Sequence, residues 1–121
     1  MTRNERGNAM RLFYAELIDA DGIADRGVFM SLEEFLPYRV KGWSGTAAID
    51  AEADAALAQL CQKTYSMEGL PNKSGYRFLA RLKDGTAKLA TVIKPWNGTY
   101  TVGGVKYDLI ANWSPLDEVA R

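Results

Sequence analysis

Histidine is absent from this chain, and cysteine occurs once, as Cys61. The first absence removes the usual general base, the commonest metal ligand and every nucleophile–base pair built on imidazole. The second rules out an internal disulfide and a thiolate zinc site. No apolar run approaches the ~20 residues of a membrane span. The opening Met1-Thr2-Arg3-Asn4-Glu5-Arg6-Gly7-Asn8 lacks the apolar segment of a secretory signal. A cytoplasmic location is the expectation, which leaves the Asn-x-Ser/Thr triplets at Asn72, Asn97 and Asn112 as chance occurrences.

An excess of either charge is lacking too, since 15 basic residues balance 15 acidic ones. A neutral molecule has no general attraction for nucleic acid or membrane, so only a local patch can supply one. Phosphate-binding glycine motifs are missing, because no helix is expected after Gly103-Gly104 to cradle an anion. Gly42-Trp43-Ser44-Gly45 is not a nucleophile elbow, its second glycine being out of register. Asp19, Asp21 and Asp25 fail as a calcium loop, with glycine at the fourth position and Met30 at the twelfth. The expectation is a protein without catalysis, metal or cofactor.

What is present suits a folded unit. With 121 residues, 47% hydrophobic and 25% charged, the chain is long enough for one core without staples. Residues 1–9 read as a flexible polar arm and 10–121 as a single domain.

Met10 to Asp19 is nearly apolar throughout, as in a strand at a sheet centre or under a helix. Asp19-Ala20-Asp21-Gly22 makes a turn, and Gly27 to Met30 returns as a short strand. Ser31 and Glu34 form a capping box that opens a short helix, which Pro37 should end or kink. Leu32, Phe35 and Leu36 face inward from it. A loop from Tyr38 to Gly45 follows, with an aromatic near each end. The long helix is expected from Thr46 or Asp50 to Ser66, with Ile49, Ala53, Ala56, Leu57, Leu60, Cys61 and Thr64 in one amphipathic stripe. Gly69 and Pro71 mark its stop.

Tyr76 to Leu82 alternates, Asp84-Gly85 supplies a turn, and Ala87 to Ile93 alternates again. Asp-Gly between alternating runs signals a two-residue hairpin turn. That register sets Leu82 against Ala87, Ala80 against Leu89, Phe78 against Thr91 and Tyr76 against Ile93. Asn97-Gly98 signals a second hairpin, leading to Thr99–Val102. A further strand is expected over Val105 to Trp113, whose odd positions are apolar except that Ile110 breaks the pattern. The order of elements argues for an α+β fold. It comprises an antiparallel sheet of about four or five strands, with one long and one short helix packed on one face. The long helix should cover Phe78, Ala80, Leu82, Leu89 and Ile93.

The opposite face of the hairpin would carry Arg77, Arg81, Lys83, Lys88 and Lys94 and no carboxylate. Such a stripe can meet an acidic protein surface or neutralise phosphates. Its plainer reading is a solvated face, with basic stems lying over Leu79, Ala90 and Val92. Trp96, at the Asn97-Gly98 turn, would serve as a rim anchor, and the loop aromatics Tyr38 and Trp43 as further contacts.

The expectation is therefore a small binding protein that docks on a larger protein, or protein–nucleic acid complex, and occludes it. Compact inhibitors and accessory proteins of phages and mobile elements have this general profile. The alternative is a nucleic-acid or anionic-nucleotide module using the same patch, as monomer or homodimer. No membrane partner is expected.

Overall fold

A computed structural model of the chain describes residues 12–19, 22, 24–93 and 101–116, with backbone alone for 24–26 and 101. The expected arm at residues 1–9 lies outside the described residues, as do Lys94, Trp96 and the Asn97-Gly98 turn. The fold is α+β, with two helices and two antiparallel sheets. The strands form a two-stranded and a four-stranded sheet rather than one continuous sheet. The chain divides into two compact units, residues 1–53 and 54–121.

In the first unit, β1 (Leu12–Ile18) pairs antiparallel with β2 (Ala24–Ser31). The turn between them closes through the Asp19 carbonyl, which accepts the Gly22 N–H at 3.0 Å. Ala15, Leu17 and Met30 are buried on one side of this ribbon, where Phe13 meets Phe35 edge-on. Helix α1 (Leu32–Val40) follows β2 without a break. Its start matches the capping box: Ser31 Oγ accepts the Glu34 N–H, and the Glu34 carboxylate accepts the Ser31 N–H. Pro37 does not end this helix, which runs on through Val40. The proline lacks the N–H that would have bonded the carbonyl of Glu33, an exposed residue in the first turn.

Helix α2 (Ala47–Leu60) opens at Thr46, whose hydroxyl accepts the Ile49 N–H at 3.2 Å. Ile49, Ala53, Leu57 and Cys61 are buried at the helical spacing expected, while Leu60 is exposed. The helix stops six residues short of Ser66, where a 3₁₀ turn (Met67–Gly69) begins with Ser66 as its cap. The division between the compact units falls inside α2, after Ala53.

The second unit contains β3 (Arg77–Leu82), β4 (Ala87–Ile93), β5 (Thr101–Gly103) and β6 (Ile110–Ser114), in the order β5-β4-β3-β6. β6 therefore returns beside β3 instead of continuing a meander. Between Gly104 and β6 the chain makes a 3₁₀ turn (Tyr107–Leu109), so the expected long strand from Val105 is only its last part. Ile110, the residue that broke the alternation, is buried with Trp113. A bulge accounts for it: Leu82 faces Ile110 while Arg81 faces Asn112, leaving Ala111 as the extra residue.

The β3–β4 register differs by one residue from the expectation. Arg77 faces Thr91, Phe78 faces Ala90, Leu79 faces Leu89, Ala80 faces Lys88 and Arg81 faces Ala87. The Leu82 carbonyl accepts the Gly85 N–H at 3.0 Å, and the Leu82 N–H reaches the Thr86 carbonyl at 2.8 Å. Three residues thus lie in the loop, with Gly85 left-handed at φ 93°. The Asp84 carboxylate fixes this choice by accepting both the backbone N–H and the hydroxyl of Thr86, at 2.9 and 2.6 Å.

Buried residues therefore lie on both faces of the four-stranded sheet. Phe78, Ala80, Leu82, Ala90, Val92, Ile110 and Trp113 pack with Leu70 on one side. On the other, Leu79 is fully buried and Leu89 nearly so. The last turns of α2 bond to this second side, which was expected to face water.

Candidate functional site

The expected basic face is divided by the observed register. Arg77 and Arg81 share the Leu79 side, while Lys88 lies opposite Ala80 on the Phe78 side. Lys83 sits in the turn, its N–H donating to the Leu109 carbonyl at 2.9 Å. Lys94 and Trp96 fall outside the described residues. Among the described residues, the stripe expected from a two-residue turn is split between the two sides of the sheet and the turn.

Arg81 is committed to structure. Its Nη2 donates to the carbonyls of Ala58 and Cys61, at 2.9 and 2.6 Å, and its Nε donates to Ser114 Oγ at 2.8 Å. These carbonyls belong to the end of α2, where the helix leaves its last acceptors unpaired and its dipole is negative. A guanidinium satisfies both conditions. No spacing rule links the partners, since they lie 20 to 33 residues away from Arg81.

Tyr38 and Trp43 do come together, edge to face with centroids 6.4 Å apart. Their loop is pinned from several directions. The Tyr38 carbonyl accepts the N–H groups of Lys41 and Trp43. Arg39 Nη1 donates to the Trp43 carbonyl and Ser44 Oγ, and lies 3.8 Å from the Asp50 carboxylate. Asp50 in turn accepts the Gly45 N–H at 2.8 Å. Tyr38 stays exposed and Trp43 half-buried, so this pair is a braced corner with one ring accessible.

A larger apolar surface lies on the β1–β2 ribbon. Leu12, Tyr14, Glu16 and Ile18 project to the side away from Ala15 and Leu17, and Phe29 joins them as the cross-strand partner of Tyr14. The rings of Tyr14 and Phe29 meet at 5.2 Å. A Cβ on Gly27 would collide with the Tyr14 ring, so that ring lies along the ribbon over the glycine. Leu12, Tyr14, Ile18 and Phe29 are all exposed, Phe29 most of all at 67%. Sequence reasoning missed this surface by reading an apolar strand as one at a sheet centre or under a helix. The available signal was a strand apolar on both faces with only one short strand to pair with.

Among the described residues no group of three or more acids, histidines or cysteines is placed to hold a metal ion. No helix among them is long and apolar enough to cross a membrane. Comparison with protein-family models, curated proteins and solved structures finds no match.

Proposed function

We propose that this chain is a non-catalytic binding protein, of the inhibitor or accessory kind, that works by covering a surface of a protein partner. The contact surface is the exposed face of the β1–β2 ribbon rather than a basic sheet face. One observation carries this reading: four large apolar side chains stand together in solvent on one side of a two-stranded sheet. Soluble chains seldom leave such a patch uncovered unless something binds there. Aromatic anchors of this kind dominate protein interfaces because they bury much area with few rotatable bonds. The nucleic-acid or nucleotide alternative rests on a continuous basic face, which the register divides, and becomes an outcome of the test.

A photo-crosslinking phenylalanine analogue at position 29, in the native host, tests the reading. A discrete protein adduct should form there, vanish when Tyr14→Asp is added, and be absent with the crosslinker at exposed Ala55 on α2. Adducts to nucleic acid, or adducts that are identical from positions 29 and 55, would overturn it.

A further inference from the structure

Resting on that reading, we infer that the partner of the ribbon is a second copy of this chain, packed face to face across a two-fold axis. A stable domain covers each apolar sheet face with a second layer. The ribbon has such a layer on the Ala15–Leu17 side, where Phe13 meets Phe35 of α1, and none among the described residues on the Tyr14–Phe29 side. Another ribbon, set about 10 Å away as in stacked sheets, would supply it.

The surface suits itself. With roughly 200 Å² for a large side chain, exposures of 55% for Leu12, 54% for Tyr14, 39% for Ile18 and 67% for Phe29 leave on the order of 400 Å² of apolar area. Two copies would bury about 800 Å² from these side chains, below the ~1,000 Å² of a stable specific contact and in the range of weak ones. That size fits a weak, reversible dimer. A net charge of zero does not oppose self-association. Glu16 is the one charged side chain among the described residues of this face. In a two-fold complex both Glu16 carboxylates enter the same interface, so the charge limits the affinity.

Sedimentation velocity of the purified full chain, from about 1 μM to about 1 mM, reads the equilibrium directly. A concentration-dependent monomer–dimer equilibrium is expected, tightened several-fold by Glu16→Gln. Phe29→Asp should hold the chain monomeric across the range. Phe29→Thr, which keeps a good strand former, should weaken the dimer at least tenfold with an unchanged circular dichroism spectrum. A wild-type chain still monomeric at the top concentration, or a dimer that survives Phe29→Thr, overturns the inference. If the chain is monomeric while position 29 still crosslinks a different protein in the host, the second copy is refuted and the docking reading stands. If neither signal appears, both fall.

Discussion

Replacing Arg81 with methionine keeps most of the side-chain stem and removes the guanidinium. Three bonds go with it, to the carbonyls of Ala58 and Cys61 and to Ser114 Oγ. Bonds from a charged donor contribute about 1.5–3 kcal/mol each when deleted singly. They cannot be added, because one side chain makes all three. The α2 carbonyls recover water once the helix end frays, whereas the fully buried Ser114 hydroxyl does not. Its unpaired burial alone costs about 1–3 kcal/mol. A net loss of about 3 kcal/mol follows, which lowers the melting temperature on the order of 10 °C. Urea unfolding followed by circular dichroism should show a lower midpoint with an unchanged slope. Arg81→Lys should lose about half as much, since one ammonium cannot span three fixed acceptors. Hydrogen exchange at the end of α2 should accelerate in both variants. If Arg81→Met unfolds within about 0.5 kcal/mol of the parent, the staple reasoning is wrong and Arg81 is a surface cation after all.

Other outcomes follow from the same geometry. Asp54, itself buried, accepts the Leu89 N–H at 3.1 Å, so Asp54→Ala should cost about 1–3 kcal/mol and speed exchange of the Leu89 amide. Gly85 and Gly104 are both left-handed, but a Cβ meets nothing within 4 Å at Gly85 and lies 2.8 Å from the Leu89 carbonyl oxygen at Gly104. Gly85→Ala should cost about 1 kcal/mol and Gly104→Ala clearly more, by urea unfolding of the two side by side. The Thr86 hydroxyl, then the Thr86 N–H, holds the Asp84 carboxyl below its ordinary 3.8. A lowered native pKa stabilises above the unfolded value and is lost as pH falls through the native one. Thr86→Val should therefore move the Asp84 midpoint upward in a carboxyl NMR titration; an unmoved midpoint removes the hydroxyl as the cause.

The elements that local chemistry specifies are legible in the residues alone. Ser31 and Glu34 announce the start of α1 because both bonds of the capping box lie within three residues. The β3–β4 hairpin was legible for the same reason, but its register was not. Asp-Gly serves a two-residue or a three-residue loop, and the Asp84–Thr86 bonds decide between them. Burial should have broken the tie, yet Phe78, Leu79 and Ala80 are all fully buried. A strand covered on both faces reads equally well in either register. The basic stripe failed through that ambiguity, and Arg81 changed from an expected contact to the clamp on a helix end. The ribbon surface was hidden differently: Leu12, Tyr14 and Phe29 are the residue types of a core, and nothing local shows that they stand exposed.

The placement of α2 carries a practical consequence. A plasmid designed to express the ribbon by itself, ending at the division after Ala53, would sever a fourteen-residue helix midway. Each half would keep one of its anchors, Thr46 at the front and Arg81 at the rear, but stubs of that size fall below the ~12–15 residues at which a lone helix persists in water. Fragments and fusion partners should therefore be joined beyond the helix, or the two pieces co-expressed and tested for reassembly.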